Sequence, residues 1–61
     1  MKVTWDAKAK AVYIHLPHKG WGINDHTAEI NDQLYLDYNN DGEVIGIEIL
    51  NTTQPIVEEL K

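Results

Sequence analysis

Twelve residues, Asp37-Tyr38-Asn39-Asn40-Asp41-Gly42-Glu43-Val44-Ile45-Gly46-Ile47-Glu48, constrain this chain more than any other stretch, because they satisfy two incompatible patterns. Asp37, Asn39 and Asp41 stand at the first, third and fifth places of an EF-hand calcium loop, with Gly42 at the sixth and Glu48 at the twelfth. The same residues also read as a β-hairpin, with Asn39 to Gly42 as the turn between strands over 34–38 and 43–50. The flanks decide between them. An EF-hand needs an amphipathic helix on each side of its loop to hold the carboxylates in place. Upstream, Gln33 to Tyr38 alternates with a period of two; downstream, Val44 to Leu50 is short and β-branched, and Pro55 follows soon after. The hairpin is therefore preferred, and Asn, Asp and Gly are explained by their tolerance of positive φ. A calcium site of Asp37, Asn39, Asp41 and Glu48 is the alternative.

Side-chain alternation assigns the faces, since a slip of one residue would expose the whole apolar set. An even turn puts Leu34, Leu36 and Tyr38 beside Ile45, Ile47 and Ile49 on a core face. Tyr35, Asp37, Gly46, Glu48 and Leu50 fall on the other, where Tyr35 is expected to pack over Gly46. A second hairpin is expected from Lys2 to Asp6 and Ala11 to Leu16, joined by Ala7 to Lys10. It sets Val3 and Trp5 with Val12, Ile14 and Leu16, and Lys2, Thr4, Tyr13 and His15 opposite. Between the hairpins, Pro17 to Gly22 is a loop in which Trp21 is expected to cap the core. Thr27 to Ile30 is the best further strand. After Asn51 the period changes: Thr53 as N-cap, Pro55 in the first turn and Ile56, Val57 and Leu60 on one side predict a helix of about two turns. The fold expected is a mainly β, small α+β domain over 1–61, an antiparallel sheet of four or five strands with a short C-terminal helix.

Size and composition bound the function. A 61-residue chain without cysteine has a marginal core and no disulfide to support it, so oligomerisation is a natural source of further stability. Apolar groups on both sides of the strands, with one short helix to cover them, favour a homodimer. No signal peptide is visible and no apolar run approaches the length of a membrane span, so a cytoplasmic setting without membrane contact is expected. Ten acidic residues against five basic ones, with no arginine, argue against nucleic acid and suit a basic protein partner. Without Ser or Cys there is no such nucleophile. His15, His18 and His26, with Asp25, are a conceivable metal set, but strand spacing does not bring His15 and His18 to one face. No enzyme activity and no cofactor are expected.

The segments Val3-Thr4-Trp5-Asp6, Ala11 to Leu16 and Leu36 to Leu50 resemble the short prokaryotic proteins grouped as domain of unknown function twenty-two eighty-three, over roughly residues 2 to 51. Trp5 stands where that pattern has tyrosine, and the loop Pro17 to Asn24 is peculiar to this chain. The resemblance implies a stand-alone β domain, a hairpin at the Asp-Gly turn, and no catalytic residue to carry over. The expectation is a non-catalytic protein-interaction module, homodimeric, in an antitoxin-like or inhibitor-like role. Its contact surface is expected to hold Tyr13, His15, Tyr35 and Leu50, with Trp21 at the rim, because aromatic groups among polar ones are typical of interfaces.

Overall fold

The computed structural model describes residues 2–52. Five strands, β1 (Lys2–Asp6), β2 (Ala11–His15), β3 (His26–Glu29), β4 (Leu34–Tyr38) and β5 (Val44–Ile49), form one antiparallel sheet in the order β1-β2-β5-β4-β3. The central strand, β5, takes β2 on one side and β4 on the other. The expected C-terminal helix at Thr53 to Lys61 lies outside the described residues.

The alternation of the sequence becomes two chemically distinct faces. Val3 pairs with Ile14, Ile14 with Ile47 and Ile47 with Leu36, while Trp5, Val12, Ile49 and Leu34 form the parallel row. These two rows are the apolar face. Val12, between Trp5 and Ile49, is 0% exposed, with Val3, Trp5, Leu16, Ile47 and Ile49 packed around Val12 and Ile14. The opposite face carries the rows Thr4–Tyr13–Glu48–Tyr35–Glu29 and Lys2–His15–Gly46–Asp37–Thr27.

Turn chemistry fixes each register. Asp6 Oδ1 accepts the N–H groups of Lys8 and Ala9, and Lys10 closes that turn at a φ of 52°. Asn31 Oδ1 accepts the Gln33 N–H in the β3–β4 turn. Strand β3 begins one residue earlier than Thr27 because the Asp25 N–H, bonded to the Tyr38 carbonyl, extends the ladder to His26. Thr52, at the end of the described chain, donates through both N–H and hydroxyl to the Lys10 carbonyl and ties that end to the β1–β2 turn.

One register expectation is corrected. The turn is not the even one expected at Asn39 to Gly42: Tyr38 pairs with Val44, and the ladder shifts by one residue before Asp37 pairs with Gly46. The extra residue, Ile45, is buried, and its carbonyl accepts the Leu16 N–H beyond the end of β2. The shift follows from the turn. Asn39 N–H donates to the Glu43 carbonyl and Gly42 N–H to the Asn39 carbonyl, with Gly42 at a φ of 83° that glycine adopts without steric cost. This closure spans one residue more than an even turn, and a bulge absorbs the difference.

Candidate functional site

Asn39 organises one end of the sheet. Its side chain is 0% exposed, yet each side-chain valence is used. Oδ1 accepts the N–H groups of Asp41 and Glu43, while Nδ2 donates to the Trp21 carbonyl and to Glu43 Oε1, all at 2.9 to 3.0 Å. A buried amide is tolerated when it is satisfied in this way. Glu43 completes a clamp on the 17–22 loop, accepting the Gly20 N–H on Oε1 and the Lys19 N–H on Oε2. A Cβ at Gly20 would meet Asp41 Oδ2 and Glu43 Oε1, so a side chain there would require both carboxylates to move and would disturb the clamp.

The clamp holds the Glu43 carboxyl below its usual value, first through the Asn39 amide, then through the Lys19 and Gly20 N–H groups, with His18 adding a smaller attraction. A depressed carboxyl stabilises the fold above the ordinary glutamate pKa and loses that contribution as pH falls through its folded value. Acidification is therefore expected to release the Lys19 and Gly20 amides before the sheet melts. Their proton shifts should follow one titration below the usual glutamate range, absent in Glu43→Gln; a titration that persists in that variant refutes the assignment.

Trp21 does not cap the core. Its carbonyl is fixed by Asn39, and its side chain is 58% exposed, with Ile23, two residues on, also exposed. Hydrogen bonding of the loop backbone outweighs the burial of one ring.

On the polar face, Asp37 joins three strands. Its Oδ2 accepts the Tyr13 hydroxyl at 2.5 Å and its Oδ1 the Thr27 hydroxyl at 2.6 Å, linking β2 to β4 and β4 to β3. Tyr13 reaches Asp37 by crossing β5 at Gly46, where any Cβ would collide with the phenol. The ring over Gly46 is thus Tyr13 and not Tyr35, because Gly46 pairs with His15 and Asp37 while Tyr35 stands opposite Glu48. Burial, and then the Asp37 carboxylate with its hydrogen bond and its charge, push the Tyr13 phenol up to about 12. Tyr35 donates to Glu29 Oε1, which raises its own pKa. His15 lies against the Tyr13 ring at a centroid distance of 4.6 Å. Leu50 follows β5, its N–H bonded to the Gln33 carbonyl.

The structure places Tyr13, His15 and Tyr35 on one face, as the alternation implies, and Trp21 in the loop held by the β4–β5 turn. It does not gather the four residues of the calcium alternative. Asp37 is engaged by Tyr13 and Thr27, the Asn39 oxygen by two N–H groups, and Glu48 stands between Tyr13 and Tyr35. The histidines are also apart: His26 stacks on Tyr38 at 4.8 Å and contacts Asp25, His18 bonds to the Gly20 carbonyl, and His15 sits with Tyr13. Among the described residues, no three His, Cys, Asp or Glu side chains are grouped to hold a metal ion, and no helix is long and apolar enough to cross a membrane. Alternation alone did not reveal Asn39, Glu43, Thr27 or Gly46; the only trace of the first two is the run Asn39-Asn40-Asp41-Gly42-Glu43, a turn that can close on the side chain of its first Asn.

A five-stranded antiparallel sheet with one apolar face and one tyrosine–carboxylate face defines a small β domain. Residues 2–52 match the family described as Protein of unknown function (DUF2283), and the chain belongs to that family. No curated protein and no solved structure gives a match.

Proposed function

We propose that this domain is a non-catalytic protein-interaction module that acts as a homo-oligomer and presents its tyrosine–carboxylate face to a basic protein partner. The observation that carries this reading is the row Tyr13–Glu48–Tyr35–Glu29, in which aromatic rings alternate with carboxylates across four neighbouring strands. Rings supply contact area at low entropic cost, and the carboxylates supply attraction for Lys and Arg. The net charge of -5 without a single arginine favours the same class of partner. His15, in the neighbouring row, lies against the Tyr13 ring, Leu50 follows β5, and Trp21 is an exposed aromatic group on a loop fixed in advance, which lowers the ordering cost of binding. An antitoxin-like or inhibitor-like protein that masks a basic surface is one concrete form.

The test is capture from the cell of origin on immobilised wild type and on the double variant Tyr35→Ala, Glu48→Lys, with circular dichroism to verify that the variant folds. A basic protein is expected on the wild type, in a salt-sensitive manner, and at least tenfold less on the variant. Equal retention by both, or capture of no basic protein, overturns the reading.

A further inference from the structure

The strand order leaves two edges, β1 and β3, and an edge strand offers its unpaired N–H and C=O groups to a further strand. The two edges differ. β1 lies beside the β1–β2 turn, to which Thr52 is bonded, and its apolar residues Val3 and Trp5 are half-buried. Among the described residues, the exposed large apolar side chains are Trp21, Ile23 and Ile30, at 53 to 63% exposure, and all three lie on the segments that enter and leave β3. Three of the four residues of β3 are themselves exposed, and β4 is the only strand paired with it among the described residues. It contains neither the Lys nor the Pro that commonly blunts an edge. We infer that β3 pairs antiparallel with β3 of a second copy, about a two-fold axis normal to the sheet at Ala28, so that two five-stranded sheets become one of ten strands. The inference rests on the homo-oligomer of the proposed function and adds the edge and the register through which the copies join.

Charge selects the register. A two-fold axis normal to the sheet keeps each face on its own side, so opposed residues share a face and the axis passes between two copies of one residue. Centres on His26 or Glu29 leave most of the strand unpaired. A centre on Thr27 sets Asp25 of each copy opposite Glu29 of the other, and like charges directly opposed are destabilising. A centre on Ala28 opposes no two carboxylates. Thr27 then meets the partner's Glu29, Asp25 the partner's Asn31 and His26 the partner's Ile30, with only methyl groups at the axis. That register also covers Ile30. His26 stacks on Tyr38 at 4.8 Å, and the partner's Ile30 comes to lie on the outer side of the same imidazole.

The consequence is functional. Thr27 and Glu29 belong to the tyrosine–carboxylate face, so the row from Tyr13 to Glu29 runs on into the partner's Thr27 and Asp37. Both such faces lie on the same side of one sheet, and a basic partner meets two of them at once, which raises its avidity without a new kind of contact. A strand-to-strand contact of this length falls well under the about 1,000 Å² of a permanent interface, so the dimer forms as concentration rises.

The chain has no cysteine, so one introduced thiol reports its own position. At the axis, opposed Cα atoms of an antiparallel pair are about 4.5 to 5.5 Å apart, within reach of a disulfide. Ala28→Cys, Thr27→Cys and, on the other edge, Thr4→Cys would be incubated in the full chain with oxidised glutathione, with circular dichroism to verify folding. Sedimentation would follow wild type and Ile30→Lys from micromolar to hundreds of micromolar. The expected result is a wild-type dimer, association at least tenfold weaker in Ile30→Lys, and covalent dimer at least tenfold faster from Ala28→Cys than from either other thiol. Ile30 is exposed, so its replacement tests the edge even if Ala28→Cys does not fold. A dimer indifferent to Ile30→Lys, or linked fastest through Thr4→Cys, overturns this inference while leaving the homo-oligomer standing. Fastest linkage through Thr27→Cys overturns the register. A wild-type monomer at every concentration overturns both readings, and loss of a captured basic protein in Ile30→Lys would then assign the edge to a foreign strand.

Discussion

Replacing Gly46 by valine is expected to cost about 3 kcal/mol or more, enough to leave a domain of this size largely unfolded at 37 °C. Any Cβ at residue 46 enters the Tyr13 phenol, so the ring must leave its place on β5. Overpacking of this kind costs about 1 to 3 kcal/mol, and the displaced hydroxyl also forfeits its bond to the Asp37 carboxylate, with about 1.5 to 3 kcal/mol typical of a bond to a charged group. A single small core rarely supplies more than about 3 to 5 kcal/mol in total. The milder Gly46→Ala isolates the cause. In the wild-type background it should destabilise clearly in urea; in Tyr13→Ala, where the ring is gone, it should be neutral or slightly stabilising, because alanine restricts the unfolded chain more than glycine. Additive effects across that cycle would exclude the clash. Tyr13 itself gives a second readout. Its raised pKa means that its stabilisation is complete below the ordinary tyrosine value of 10 and is lost as pH rises through about 12. Absorbance titration should show one phenol ionising near there, and Asp37→Asn should bring it down.

Asn39→Ala is the second large effect, about 3 kcal/mol. Four hydrogen bonds disappear, and the Trp21 carbonyl, the Asp41 and Glu43 N–H groups and the Glu43 carboxylate lose a partner. Each orphaned group costs about 1 to 3 kcal/mol where it stays buried and less where water replaces the amide. Asn39→Asp keeps the acceptor for the two N–H groups but removes the donor and sets a second carboxylate against Glu43, so it should recover only part of the loss. Urea melts of the three proteins, read together with tryptophan emission, measure both halves: the turn through stability, the loop through Trp21. Equal stability of Asn39→Ala and wild type would remove Asn39 from its central role.

The parts of the fold legible in the sequence are those decided by neighbours in the chain. Lys2 to Asp6 and Ala11 to His15 pair as the period-two pattern implies, and Leu34 and Leu36 meet Ile49 and Ile47 in the expected register. What alternation could not reveal depends on side chains reaching across the sheet. The displacement of Ile45 comes from a turn closed by Asn39, and the exposure of Trp21 from a carbonyl held by the same buried amide. The ring over Gly46 belongs to Tyr13 because β2 borders β5, a pairing between segments some thirty residues apart that neither hairpin announces. The contact face was legible as a set of residues on one side of the sheet, but not as a network: nothing in the spacing of Tyr13, Thr27 and Asp37 shows that one carboxylate binds both hydroxyls.

The strand order also sets how the chain reaches its native state. Three of the four pairings join consecutive strands, and only β2 with β5 is remote. Loop closure explains the sequence of events. Joining His15 to Gly46 in an open chain closes a loop of about thirty residues, whereas after β3, β4 and β5 have formed a meander only Leu16 to Asp25 remains to be closed, a saving of about 1 kcal/mol. The meander, nucleated by the Asn39 turn, is thus the early unit, and docking of the β1–β2 hairpin along β5 is the late step. Until that step β5 is an open apolar edge, and the newly made chain is most prone to aggregate during that interval.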